Sequence, residues 1–404
     1  MKWEKVKLGD VCEITSSKRI FYSEYVDDGV PFYRSKEIIE SDEGKIIENP
    51  LYISVDKYNE IKEKFGVPQT GDMLLTSVGT IGIPYIIKKK DCFYFKDGNL
   101  TWFRDFREGL NSKYLYYWIK SSEGTGTLYN TTIGSSQKAL TISALKNIKV
   151  SLPPRSVQDK IVEVVSVYDD LIENNQKQIK LLEEAAQRLY KEWFVDLNFP
   201  GHENTKIVDG VPEGWNICPF SSKVDIMSGG TPKTSIPDYY NGRIPFYTPK
   251  DSDGAFFAYK TQMNITEGGL KNCNSRLYPP KTVIITARGT VGKTTILAVP
   301  MAMNQSCYAL KMKENDAPYY LFFALNNEIK ALQTMANGGV FNTIIGKTFD
   351  SINIQIPKDP LIYGFEKTVR PFMEQIKNKL QANSKLVEAR DRLLPKLMSG
   401  EVKV

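Results

Sequence analysis

One histidine, His202, is the only imidazole in 404 residues. Its isolation removes His-rich metal sites and argues against an imidazole base for a serine or cysteine nucleophile. Cysteine is equally sparse: Cys12, Cys92, Cys218, Cys273 and Cys307 are scattered, odd in number and form no CxxC pair. Neither a disulfide framework nor a zinc knuckle is expected from them, and buried thiols are the simpler reading. No apolar run approaches the roughly 18 residues of a membrane span. The start of the chain, "MKWEKVKLGD", is charged throughout, so it does not read as a signal peptide, and a cytoplasmic protein is expected. Neither sign of charge dominates, with 53 basic against 47 acidic residues and a net charge of +6. That balance permits binding to a polyanion without requiring it. The length suffices for two or more domains, each burying its own core.

What the chain does contain is an internal repeat. "VPFYRSKEI" at Val30 is echoed by "IPFYTPKDS" at Ile244. "GDMLLTSVGTIGIPYII" from Gly71 is echoed by "PKTVIITARGTVGKTTIL" from Pro280, which aligns Gly79 and Gly82 with Gly289 and Gly292. Trp3 aligns with Trp215, and "LKNIKVSLP" from Leu145 with "FDSINIQIP" from Phe349. The repeat decides how to read "ARGTVGKT", Ala287 to Thr294, which satisfies a relaxed P-loop pattern. In the first copy Ile83 and Pro84 stand where Lys293 and Thr294 stand in the second. A phosphate loop must open a helix whose N–H groups hold the phosphates. Here the β-branched "TTILAVP" follows, so a Gly-kinked pair of strands is expected rather than an NTPase site.

Each copy closes on a segment of different texture. Ser156 to Phe194 contains neither Gly nor Pro. Ser156 suits an N-cap, with Asp159 near the positive end of the helix. Ile161, Tyr168, Leu182 and Leu189 recur with period seven, interleaved with Val165, Ile172, Ile179, Ala186 and Trp193, the pattern of a coiled-coil seam. Asn175 falls in the first series, either as a register-setting polar residue in the seam or as a solvated one. The second closing segment has Asp359 as its expected cap and Pro360 at the first helical position. Its seam is Phe365, Val369, Phe372, Ile376, Leu386 and Leu393, flanked by Met373, Leu380 and Val387 and interrupted by Lys379, Asn383 and Arg390. Pro395 should end or kink it near Leu394. At about 1.5 Å per residue the first helix spans roughly 58 Å. That outreaches a domain whose radius of gyration is about 15 Å, so the two helices are expected to pair with each other as a spacer. Between the first helix and the second copy, Leu197 to Trp215 reads as an irregular connector with His202 solvated.

A globular half ending in "SLPPRSVQDKIV", a helix ending in "LYKEWFVDLNFPGHE", a restart "GVPEGW" and a terminal "ARDRLLPKLMSGEV" together resemble the DNA specificity subunits of type I restriction-modification systems. The resemblance covers the whole chain and implies an α+β architecture. Two globular mixed α/β target-recognition domains, with twisted sheets and flanking helices, would be joined by two long antiparallel helices forming a coiled coil, in an internal pseudo-twofold repeat. It sets the first target-recognition domain at 1–152, the first conserved-region helix at 153–197, a linker at 198–212, the second recognition domain at 213–357 and the second conserved-region helix at 358–404. The implied protein is non-catalytic: each domain reads half of a bipartite DNA target, and the helices fix the spacing and dock methyltransferase subunits. No cofactor is expected in this chain, because S-adenosylmethionine, ATP and Mg would belong to the modification and restriction/translocase partner subunits. The sequence departs from the pattern where the "LPP" and Gln158 of the first helix entrance meet "IPKDPLIYGF", which lacks the glutamine. The two entrances are therefore expected to hold a methylating partner unequally.

The residues make their own case for duplex DNA. Two unlike copies of one unit suit two unlike half-sites, with Lys and Arg for phosphates and polar side chains for base edges on loops leaving the strands. In the first copy the candidates are Lys18, Arg19, Arg34, Lys36, Ser77, Thr80, Ser135, Gln137 and Lys138. In the second they are Thr231, Lys233, Thr248, Lys250, Arg288, Thr290, Lys293, Asn304, Gln305 and Asn342. Arg34 and Arg288 are the preferred base readers, since a guanidinium grips guanine O6 and N7 together, and Lys293 becomes a phosphate contact. "YLYYW" (Tyr114 to Trp118) and "YYLFFAL" (Tyr319 to Leu325) match at helical spacing and are expected in the core rather than stacked on bases. "KKK" at Lys88 to Lys90 reads as a solvated hairpin tip. The competing readings are an NTPase at Ala287 to Thr294, a methyltransferase and a coiled-coil scaffold without DNA binding. The methyltransferase lacks an "NPPY"-like tetrapeptide and an adenosine loop.

Overall fold

Residues 3–44, 47–134, 138–335 and 344–404 are described by a computed structural model, with the backbone alone at 330–335. The chain forms two compact units, Met1–Glu173 with Lys385–Val404, and Asn174–Ser384.

In the first unit β1 (Glu4–Lys7) pairs antiparallel with β10 (Lys149–Leu152) and ties the start of the chain to the entrance of the first long helix. A four-stranded antiparallel sheet has the order β2 (Glu13–Thr15), β9 (Leu100–Arg104), β6 (Met73–Thr76), β7 (Pro84–Ile86). A second sheet has the order β3 (Tyr25–Val26), β5 (Leu51–Ile53), β4 (Val30–Tyr33), β8 (Tyr94–Phe95), with β4 and β8 parallel. The uninterrupted apolar run of β6 follows from its position, because both faces are covered. Met73 and Leu75 join Phe103, Tyr114 and Trp118 on one side, while Leu74 joins Ile38, Phe95 and Trp102 on the other.

The second unit uses the same plan. A hairpin of β11 (Ile207–Val208) and β12 (Val211–Pro212) lies within the connector. β13 (Asn216–Pro219) and β22 (Asn353–Ile356) form the closing pair. The main sheet runs β14 (Val224–Ser228), β21 (Cys307–Met312), β18 (Val283–Thr286), β19 (Thr294–Leu297), β16 (Phe257–Ala258). β17 (Asn264–Ile265), β15 (Tyr240–Tyr247) and β20 (Ala302–Met303) make the smaller sheet, with β15 and β20 parallel. Val283 and Ile285 face the helix Pro318–Met335, while Ile284 joins Tyr247, Leu297 and Met303 behind it. The aromatic strings of the helices Ser112–Lys120 and Pro318–Met335 are packed into these cores, as their spacing predicts.

The long helices are Arg155–Phe194 and Asp359–Ser399. Within the first unit Ile161 and Val165 share a core with Leu394, Leu397 and Met398, and Asp169 Oδ1 accepts from Arg390 Nη1 at 2.6 Å. Within the second unit Ile179, Leu182, Ala186 and Leu189 share a core with Phe365, Val369, Phe372 and Ile376. There Asn175 Nδ2 donates to Asn383 Oδ1 at 2.8 Å, so the half-buried Asn175 faces the other helix. Of the remaining seam residues, Tyr168, Ile172, Leu386 and Leu393 are half-buried. Two of the three polar interruptions, Asn383 and Arg390, thus meet a polar partner on the other helix, as a stripe shielded from water requires.

Several expectations about the helix ends are corrected. The first helix begins at Arg155, and the carbonyl of Pro154 accepts the N–H groups of Val157 and Gln158, so Ser156 lies inside the first turn instead of capping it. The second begins at Asp359; Lys358 supplies the capping carbonyl, and the Asp359 carboxylate accepts from Asn315 Nδ2 at 2.9 Å. Pro395 does not end that helix, which runs on to Ser399 because Leu394, Leu397 and Met398 are held in the core around it. Gln158 is fully buried: its Nε2 donates to Gly109 O and Pro153 O, and its Oε1 accepts from Asn111 N. In the first unit this glutamine therefore ties the helix entrance to the segment 109–111 and the Pro153 carbonyl. Cys12 and Cys307 are buried, but Cys92 is exposed in the turn before β8. Lys88 to Lys90 are exposed, yet they connect β7 to a strand of the other sheet and so form no hairpin tip. His202 is exposed, with Nδ1 2.9 Å from Phe199 O. Among the described residues no helix is long and apolar enough to cross a membrane.

In the second unit a glutamate of the long helix, Glu366, holds the start of a core helix. Its Oε1 accepts the N–H groups of Tyr319 and Tyr320, both at 2.8 Å, and so caps the buried start of the helix Pro318–Met335. Burial pushes its carboxyl up from 4.5 to about 7 against those two bonds. A folded value above the unfolded one means that folding favours the proton. The stability it brings is complete below the unfolded value and is lost as pH rises through about 7. Glu366→Gln should therefore flatten the decline in unfolding free energy between about pH 4.5 and 7. Denaturant titrations across that range read the effect, and parallel curves for the two proteins would assign the dependence elsewhere.

Candidate nucleic-acid interface

In each unit the chain turns at the same end of the main sheet, and one threonine closes the turn. Thr76 donates its N–H to Ile83 O at 3.0 Å, takes Gly82 N–H on its carbonyl at 2.8 Å and takes Ile83 N–H on its hydroxyl at 2.9 Å. Thr286 repeats all three bonds with Lys293 O at 2.9 Å, Gly292 N at 2.9 Å and Lys293 N at 3.0 Å. Gly79 and Gly82 have φ of 78° and 86°, and Gly289 and Gly292 have 80° and 82°. Any side chain at these four positions would be strained, so the glycines hold the shape while the residues among them vary. After the second turn β19 pairs antiparallel with β18. No helix opens there and the N–H groups of Gly292 and Lys293 point to Thr286, which leaves no phosphate cradle at Ala287 to Thr294.

Other loops are tied to the same end. In the first unit Ser77 N–H bonds Asn99 O, Lys96 N–H bonds Tyr33 O, Lys18 N–H bonds the Tyr94 hydroxyl, and Leu140 N–H bonds Ser77 O. These ties bring together Lys18, Arg19, Arg34, Lys36, Thr80 and Lys138. In the second unit Ala287 N–H bonds Ser306 O, Asn304 N–H bonds Tyr247 O, Gly230 N–H bonds Met303 O, and the Thr290 hydroxyl donates to Pro249 O. Here Thr231, Lys233, Thr248, Lys250, Arg288, Thr290, Lys293, Asn304 and Gln305 gather. Ser135, Gln137 and Asn342 lie outside the described residues. Ser77 is a correction: it is 2 % exposed, and its hydroxyl bonds Leu75 O and Thr101 Oγ1, so it is a core residue beneath the turn.

The two clusters differ in electrostatics. Arg34 gives Nε and Nη2 to Glu37, with Nη2 2.6 Å from Oε1. Burial opposes the charge of Glu37, yet the Arg34 guanidinium and backbone N–H groups outweigh it and hold the carboxyl below its ordinary value. Lys36 lies 3.7 Å from Glu40, the Lys18 ammonium sits 4.5 Å from the centre of the Phe65 ring, and that of Lys138 3.7 Å from the Tyr129 ring. In the second cluster, among the described residues, the exposed Lys233, Lys250, Arg288 and Lys293 have no ion-pair partner. Sequence reasoning missed the acids that shape these loops. Glu37 accepts Arg34 N–H at 2.8 Å, and Asp251, its aligned residue, accepts Thr248 N–H and hydroxyl at 2.8 Å each and Gln262 N–H at 2.7 Å. The alignment of "YRSKE" with "YTPKD" carried that signal. Among the described residues no group of three or more His, Cys, Asp or Glu could hold a metal ion.

Comparison with known proteins gives one family. The model of the type I restriction modification DNA specificity domain matches residues 1–184 and again 212–383. The type I restriction enzyme MjaIX specificity subunit of Methanocaldococcus jannaschii is 28% identical over 100% of this chain and 94% of its own. The HindI specificity subunit of Haemophilus influenzae is 24% identical over 65% of this chain and 71% of its own. A crystal structure of a type I restriction-modification system S subunit from M. genitalium superposes with a TM-score of 0.59 at 15% identity, covering 98% of this chain and 96% of that one. That likeness is one of fold.

Proposed function

Because the chain belongs to the family of type I restriction-modification DNA specificity domains, we propose that it is a non-catalytic specificity subunit working in the cytoplasm on an asymmetric two-part duplex target. Each unit reads one half of the target through its loop cluster. The observation that carries this is the repeated glycine turn, in which the same three hydrogen bonds present Thr80 in one unit and Arg288, Thr290 and Lys293 in the other. One framework with two sets of side chains suits two different half-sites. The meeting of the long helices in each unit supports an antiparallel coiled coil that sets the spacing of the halves, related by a pseudo-twofold axis. The same helices give methyltransferase subunits, with their S-adenosylmethionine, a place to dock, and restriction/translocase subunits join that assembly. An NTPase reading is not favoured by the strand that follows the turn.

The test is selection from a random duplex library by the full chain, with and without added methyltransferase subunit, followed by sequencing. The expected product is two unlike short motifs at a fixed separation. Enrichment of one uninterrupted motif would overturn the two-reader scheme, and enrichment of none under either condition would leave the chain a scaffold.

A further inference from the structure

Both clusters contain a bridge between the same two loops, made from different side chains. Asp97 lies two residues beyond β8 and Gln305 two residues beyond β20, the strands that pair in parallel at Phe32 with Tyr94 and at Phe246 with Ala302. Arg19 and Thr231 lie in the loops leaving β2 and β14, the equivalent first strands of the main sheets. In the first unit Arg19 Nε donates to Asp97 Oδ2 at 3.0 Å. In the second the Thr231 hydroxyl donates to Gln305 Oε1. We propose that these two bridges are matched specificity elements, Arg19 with Asp97 selecting a guanine in one half-site and Gln305 with Thr231 selecting an adenine in the other.

The inference rests on the DNA-reading function above and goes further by naming bases. Arg19 is 69% exposed and is held by its Nε alone, so among the described residues its two terminal nitrogens have no partner. That leaves the fork which donates to guanine O6 and N7 pointing outward from a fixed stem. Asp97 is the positioning residue, with 19% of its side chain exposed. Gln305 is exposed as well, and its Oε1 accepts the Thr231 hydroxyl. Nε2 remains a donor for adenine N7, and the second lone pair of Oε1 an acceptor for adenine N6. The bridges remove freedom from long side chains before DNA arrives, so less ordering cost falls on binding. Hydrogen bonds from main-chain N–H groups fix the loops beneath them: Lys18 N–H to the Tyr94 hydroxyl in one unit, Gly230 N–H to Met303 O in the other. A methyl group on Gly229 would lie 2.2 Å from Asn304 O, so the loop carrying Thr231 rests directly on the loop carrying Gln305.

Selection and sequencing with three full-length proteins decides the matter. Gln305→Ala should lose preference for adenine at one position of one half-site, by roughly 5- to 150-fold, with the other half-site untouched. The paired exchange Thr231→Arg with Gln305→Asp should move that position from adenine towards guanine, and Arg19→Thr with Asp97→Gln should do the reverse in the other half-site. All four side chains lie at the surface or near it, so equal thermal unfolding curves serve as the fold control. An unchanged preference in Gln305→Ala, or an equal loss on every sequence, would overturn the assignment while leaving the two-reader function standing. Failure of the unaltered chain to select any sequence would sink that function, and this proposal with it.

Discussion

Replacing Phe365 with alanine should destabilise the unit Asn174–Ser384 by about 3–5 kcal/mol. The side chain is fully buried on the second long helix. Its ring lies 5.9 Å from Tyr190, 6.0 Å from Trp193 and 5.2 Å from Phe194, all on the first long helix, and 6.1 Å from Phe323. Three of those four contacts are edge-on between the helices, and such pairs add about 0.5–1.5 kcal/mol beyond area burial. Guanidinium unfolding of the full chain, followed by tryptophan fluorescence, measures it through Trp193 and Trp215 in this unit. A loss under about 1 kcal/mol would mean that the cavity collapses freely and that the helices are not locked here. With two units the transition need not be two-state, so the part of the curve that shifts is itself informative.

Arg288→Ala should relax the choice of one base pair in the half-site read by the second unit by about 1–3 kcal/mol, leaving the other half-site as selective as before. Arg288 is exposed beside Gly289 on the rigid turn, and among the described residues no acid neutralises it. The turn is bonded through Thr286 and through Thr290 to Pro249 O, so removing the side chain leaves the frame intact. Competition binding with duplexes altered at single positions separates the outcomes. An equal fall in affinity for every duplex, with a shallower salt dependence, would make Arg288 a phosphate contact.

The glycine turns, the strand after Lys293 and both long helices were legible because each has a local cause: glycines at fixed offsets, β-branched residues, and long stretches with an apolar stripe. What was not legible depended on neighbours far along the chain. Ser77 looks like a loop hydroxyl, but Thr101 and Leu75 claim it. Its aligned residue is Ala287, also buried, so the second copy held the answer. Pro395 should break a helix at a cost of about 3 kcal/mol, yet the burial of Leu394, Leu397 and Met398 outweighs one missing N–H. Pro154 and Lys358 cap with main-chain carbonyls, which composition does not distinguish. Glu37, Asp97 and Asp251 escaped notice because a search for readers of a polyanion looks for cations and passes over the acids that aim them.

The first unit is assembled from both extremes of the chain, since Ile161 and Val165 share their core with Leu394, Leu397 and Met398. During synthesis, which proceeds from the N-terminus at about 5–20 residues per second, the core of the half made first is completed only when Lys385–Val404 emerges. The later half has all its residues by Ser384 and is free to fold ahead of it. A ribosome that stops short of Lys385 would release a well-folded second reader attached to an unfinished first one, with bare apolar helix surface inviting chaperones or proteases.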